Sequence, residues 1–181
     1  MADQATGTHF LATVIAEFRK YKTLAERALE QLGDEDIFAT IGEEDNSIAI
    51  IMKHVAGNLR SRWTDFLTTD GEKPDRDRDS EFVMAAGTTA AELMRWWEDG
   101  WRCVFAALEP LSPDDLQRTV YIRALPHTVV EAISRSLTHI AYHVGQIVLL
   151  AKHRRGAAWK SLSIPKGQSA AVNAAMMGAK R

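Results

Sequence analysis

The sequence predicts an all-α fold, a four-helix bundle with long crossover connections, in one domain spanning residues 1–181. Two observations carry this prediction. Four stretches repeat apolar residues at helical spacing, and three of them open on a residue suited to cap a helix. The composition, 46% apolar and 25% charged, is that of a folded chain with a sizeable core.

The first helix is expected from about Thr8 to Leu32. Phe10, Leu11, Val14, Ile15, Phe18, Tyr21 and Leu24 fall on one face, and Gly33 is a natural stop. An acidic, turn-rich stretch follows from Asp34 to Asn46. Ser47 then caps a second helix that should reach about Thr69. Gly71, Pro74 and dense mixed charge break helicity in the Asp70–Ser80 segment, a loop long enough to have a role beyond connection.

Thr89 and Glu92 have the spacing of a capping box, so a third helix starts there. Its stripe is Leu93, Met94, Trp97, Trp101, Val104 and Leu108, and Pro110 ends it. Ser112 and Pro113 open a single turn, and RTVYIRALPH reads as a short extended crossover. Thr128 and Glu131 form a second box, starting a fourth helix that runs to about His153. The core thus covers about residues 8–155. The tail, 156–181, is rich in small and polar residues, and its last residues are expected to fray.

Composition also removes whole classes of function. The net charge is −2 and the pI about 6.3, without the basic footprint that phosphate-backbone binding needs, so no nucleic-acid partner is expected. No apolar run approaches the ~20 residues that cross a bilayer, so no membrane partner is expected either. With a single cysteine, Cys103, the chain has no internal disulfide, as in a reducing compartment. The first apolar stretch lacks a basic region before it, so a cytoplasmic location is expected.

His139 and His143 stand four residues apart and share one face of the fourth helix, at the edge of its apolar arc. Two partly buried histidines satisfied by backbone or hydroxyl groups would explain the pair equally simply. His54, Asn58 and Arg62 form a polar stripe, again at four-residue spacing, beside the apolar arc of the second helix. A polar stripe bordering a core needs partners, because an unpaired buried polar group costs about 1–3 kcal/mol. A histidine from one helix and two from another can meet in a bundle core, where such folds build metal sites. Three imidazole donors suit zinc or nickel, with iron, manganese or copper also open, and leave a coordination position free. His9, His127 and His153 read as structural.

These residues resemble the DinB/YfiT-like metalloenzyme superfamily. His54 matches the single histidine of its second helix, and His139 and His143 match the H-x-x-x-H of its last. Runs similar to Asn46–Phe82, Thr138–His153 and Trp159–Ser169 extend the resemblance over nearly the whole chain, toward a bacterial branch of unknown function. The resemblance implies a metal-dependent enzyme acting on a small molecule, either by transferring a low-molecular-weight thiol to an electrophile or by a related hydrolysis. It also implies a homodimer. The alternative is a non-catalytic, metal-binding, stress-associated dimer, and a plain helical scaffold is a third reading. No side chain carries a catalytic assignment.

Three further residues are candidates to support the site or touch substrate. Asn58 could orient a ligand or simply join two helices. Arg62 could bind an anion, or pair with an acid of the following loop such as Asp79 or Glu81. Gln146 lies close to the histidine face. Tyr142 and Trp96 are expected at the surface, and Cys103 buried and inert.

Overall fold

Hydroxyl side chains decide where three of the four long helices begin. The structure, a computed structural model, describes residues 2–178. It is mostly helical, with six α-helices and one two-stranded hairpin among the described residues: α1 (Ala2–Leu29), α2 (Asp34–Phe38), α3 (Ile48–Trp63), α4 (Ala90–Leu108), β1 (Thr119–Ile122), β2 (Leu125–Thr128), α5 (Val129–Arg155) and α6 (Ser169–Gly178). At the start of α3 the Ser47 hydroxyl accepts from the Ile50 N–H at 3.2 Å. The two expected capping boxes both form. Thr89 Oγ1 accepts from the Glu92 N–H while Glu92 Oε2 accepts from the Thr89 N–H. Thr128 and Glu131 repeat the exchange at α5. Each cap satisfies orphan donors and is worth about 0.5–2 kcal/mol.

The four long helices close a ring of contacts: α3 packs on α4 and α5, and α1 packs on α5 and α4. Their apolar faces meet in one core containing Phe18, Met52, Leu59, Trp97, Trp101 and Ile140, all at most 1% exposed. Burying side chains of this size contributes about 1.5–3 kcal/mol each. Gly100 lets α4 approach α3, since a Cβ there would stand 2.9 Å from the Ala56 carbonyl oxygen. Trp63 joins α3 to α5 by donating its indole N–H to Ser136 Oγ at 3.2 Å.

Several boundaries depart from the sequence reading. The first helix begins at Ala2 and ends at Leu29. The second stops at Trp63 instead of near Thr69. Beyond it the Thr64 hydroxyl turns back onto the Arg60 carbonyl, Asp65 adopts φ 46°, and Thr68 and Thr69 bond to the Asp65 carbonyl. Side chains that compete for local backbone groups end the helix there. The acidic stretch after Gly33 holds the short α2, anchored by buried Ile37. The tail carries α6, and residues 179–181, where fraying was expected, lie outside the described residues.

The expected extended crossover is an antiparallel hairpin, with Thr119 opposite Thr128 and Ile122 opposite Leu125. Its two-residue turn, Arg123–Ala124, has φ of 55° and 61°, the left-handed pair that a type I′ turn requires. Neither residue is the usual Gly or Asn, and each left-handed non-glycine residue costs about 1–2 kcal/mol. Asp70 offsets that cost from 53 residues away. Its carboxylate accepts from the Arg123 N–H at 2.8 Å, the Ala124 N–H at 2.7 Å and the Glu72 N–H at 2.7 Å. Burial pushes this carboxyl up, but the three backbone donors outweigh it and hold the group below the usual carboxylate range. The Gly71 N–H donates to the Tyr121 carbonyl at 2.7 Å, so the loop after α3 lies along the hairpin.

Candidate metal centre

His54 faces the core from the middle of α3, and His139 and His143 face it from successive turns of α5. Their Nε2 atoms converge: His139 is 3.4 Å from His54 and 3.2 Å from His143. The three residues form a group that could hold a metal ion, with one ligand atom from each lying within 4.8 Å of the others.

Hydrogen bonds on the far side of two rings fix which nitrogen faces inward. His54 Nδ1 lies 2.8 Å from Glu81 Oε2. A carboxylate oxygen only accepts, so the proton is on Nδ1 and the Nε2 lone pair points at the cluster. His143 Nδ1 lies 2.8 Å from Gln146 Oε1, with the same consequence. His139 Nδ1 is buried and has no partner among the described residues.

Burial, with His143 and His54 as close neighbours, lowers the pKa of His139 to about 3, and burial likewise lowers that of His143. The Nε2 atoms of His54 and His143 both face His139 Nε2, so a proton on His139 Nε2 or a cation shared by the rings would satisfy them. Donors about 2.0–2.1 Å from a tetrahedral ion stand about 3.3 Å apart, which matches both short Nε2 separations. The residues present therefore fit a divalent metal.

Glu81 is the supporting residue that sequence reasoning did not assign to this role. It lies on a single 3₁₀ turn, Asp79–Phe82, and is 5% exposed. Three residues of α3 set that turn. Lys53 Nζ donates to the carbonyls of Ser80 and Val83, both at 2.7 Å. His54 takes the carboxylate. Gly57 leaves room for it, since a Cβ there would stand 2.9 Å from the Glu81 carboxyl carbon. Arg76 clamps Glu81 from the other side, Nε to Oε1 at 2.8 Å and Nη2 to Oε2 at 3.0 Å. Burial raises the Glu81 pKa, yet the bonds from His54 and Arg76 prevail and keep it below its ordinary value. The loop whose length pointed to a further role thus supplies the acceptor that aligns His54.

Beside the histidines lies a pocket of about 500 Å³ between α3, α5 and the hairpin. His54, His139, Asn58 and Arg62 all line it, while Gln146 stands behind His143. Asn58 is 9% exposed, and its side chain makes no hydrogen bond among the described residues. Arg62 pairs with an acid of the following loop as expected, but that acid is Glu72, at 3.0 Å, in place of Asp79 or Glu81, and Arg62 also donates to the Gly71 carbonyl. Arg76 has taken Glu81. Tyr142 is exposed as expected but also lines the pocket. Trp96 is half-exposed, and Cys103 is half-buried, not fully buried, with Thr64 Oγ1 3.8 Å from its Sγ. His9 and His153 are exposed, and His127 contacts the Leu125 carbonyl, all apart from the cluster.

The family described as protein of unknown function (DUF1572) matches residues 5–168. The chain belongs to DUF1572. DUF1572 is a DinB-like family, and the matched segment includes all three histidines, Glu81 and the hairpin. It stops just before α6. No curated protein matches the chain.

Proposed function

We propose that this DUF1572 chain is a divalent-metal-dependent enzyme acting on a small molecule held beside His54, His139 and His143. The four long helices are read as a DinB-like bundle built around that site. The convergence of three Nε2 atoms, two of them oriented by Glu81 and Gln146, carries the reading. Zinc or nickel is the metal best suited to three neutral imidazoles.

A bound ion would supply Lewis acidity, lowering the pKa of a thiol or water to give a nucleophile near neutral pH. The protein's own residues do the rest. Glu81 and Arg76 hold His54 in one tautomer and one orientation, and Gln146 does the same for His143. Trp63, Phe66, Val120 and Ile122 give the pocket an apolar wall that limits water beside the histidines. Asn58, one helical turn from His54, offers an amide with free donors and acceptor to a substrate. Glu81 is fully engaged by His54 and Arg76, so no general base is assigned. That arrangement fits transfer of a low-molecular-weight thiol to an electrophile, or a related hydrolysis.

Metal content of untagged protein and its thermal stability with and without a chelator test the metal. Close to one ion per chain and a lowered Tm on chelation are expected. Less than about 0.3 ion per chain with an unmoved Tm would refute the reading. A panel of thiols with electrophiles, run on the wild type and on His54→Ala, tests turnover. Activity surviving His54→Ala would remove the proposed mechanism and leave a non-catalytic metal binder. Sedimentation velocity reads the proposed homodimer.

A further inference from the structure

The pocket beside the histidines is strongly one-sided in charge. Five arginines line it, Arg62, Arg76, Arg78, Arg123 and Arg135, and no carboxylate among the described residues does. The chain as a whole is net negative, so this is a local concentration of positive charge. Behind the wall, Glu72 is shared by Arg62, Arg76 and Arg123, and Glu81 takes a second pair of bonds from Arg76. Glu72 and Glu81 bond these three guanidiniums, and the Asp70 carboxylate is close enough to act on Arg62, so the uncompensated charge of the pocket lies with Arg78 and Arg135. Arg78 reaches just one exposed acid, Asp79, at 3.9 Å. Arg135 makes no ion pair and no side-chain hydrogen bond among the described residues. It stands four residues before His139 on α5, so its guanidinium belongs to the same helical face one turn away.

Arg62 and Arg76 are costly to hold where they are. Their side chains are 10% and 5% exposed, and desolvating a guanidinium costs free energy that a shared carboxylate only partly returns. Guanidiniums used this way give planar, two-pronged recognition of carboxylate or phosphate. Asn58 adds an unpartnered amide on the histidine side of the pocket. Trp63, Phe66, Val120, Ile122 and Ala132 give the pocket an apolar side, and Ser136 and Thr138 add hydroxyls. Such a lining suits a ligand with an apolar body and an anionic head.

We propose, resting on the assignment of this pocket to substrate, that it takes a small oxyanion-bearing molecule with an apolar body, and that Arg135 is the residue that recognises the anion. The neutral analogue of such a ligand would leave Arg135 unpaired and bind poorly.

Calorimetric titration with benzoate, phenyl phosphate and benzamide tests this, on metal-stripped and on zinc-treated protein. Benzoate or phenyl phosphate should bind at least about tenfold more tightly than benzamide, and the tighter of the two assigns the head group as carboxylate or phosphate. Arg135→Gln should weaken anion binding at least about tenfold while its melting curve stays unchanged, since Arg135 holds nothing in place. Arg102→Gln, on the exposed face of α4, should leave binding as it was. Equal affinity for benzamide and benzoate, undiminished binding by Arg135→Gln, or no anion binding up to about 20 mM overturns the proposal. Zinc uptake measured on the same samples separates the two readings. Anion binding without zinc uptake removes the metal centre and keeps the anion pocket. Zinc uptake without anion preference removes the anion pocket alone.

Discussion

Glu81 and His54 form a buried carboxylate–imidazole pair at 2.8 Å, with both side chains under one-tenth exposed. Such a pair selects the tautomer that leaves Nε2 free and increases its basicity as a donor. It also makes the loop after α3 part of the centre.

Glu81→Gln should therefore lower zinc affinity by about 10–100-fold while the protein stays folded. Competition against a chromophoric chelator reads the change. An unaltered zinc affinity would reduce Glu81 to a partner of Arg76.

Gly57→Ala and Gly145→Ala should have opposite signs. At Gly57 a Cβ would press on the Glu81 carboxyl group, so the variant should lose about 1–3 kcal/mol and bind zinc more weakly. At exposed Gly145, within α5, a Cβ meets nothing within 4 Å, and the helix should gain about 0.5–1 kcal/mol. Urea denaturation of both variants checks the pair.

Ala124→Gly should stabilise the protein by about 1 kcal/mol, because glycine takes φ 61° without the Cβ penalty. Asp70→Ala should cost about 1–3 kcal/mol by leaving the turn donors without their acceptor. Denaturation of the single and double variants measures whether the glycine recovers part of that loss.

Asp115 offers a pH test remote from the histidines. The Ser112 N–H, then Arg118 and the Ser112 hydroxyl, lower its pKa to about 2. A depressed carboxylate stabilises the folded state above the ordinary pKa of 3.8, and that contribution disappears as pH falls through about 2. Carbon-detected NMR titration should give this midpoint, and Ser112→Ala should move it upward. A midpoint in the usual carboxylate range in the wild type would contradict the cap.

What could be read in the sequence was what depends on near neighbours. Thr89 with Glu92 and Thr128 with Glu131 mark helix starts because their partners are three residues away. His139 and His143 advertise themselves through one helical turn. Glu81 does not, because its contact with His54 depends on the course of a 27-residue excursion. The hairpin was hidden for a similar reason. Arg123 and Ala124 lack the Gly or Asn that signals a two-residue turn, and the group that permits them, Asp70, is 53 residues distant. The arginine-lined pocket was hidden too, since its five guanidiniums come from α3, the loop, the hairpin and α5.

The Trp63–Ser136 contact between α3 and α5 has a kinetic consequence. His54 and Glu81 are 27 residues apart and His139 and His143 only four, whereas His54 and His139 are separated by 85. The histidine pair on α5 is thus local in the chain, and loop closure weighs on the steps that bring Glu81 and then α5 to His54. Helix formation should accordingly run ahead of site formation during refolding. In stopped-flow experiments the far-ultraviolet dichroism should recover before the difference in tryptophan fluorescence between wild type and Trp63→Phe, which reports docking of α3 on α5.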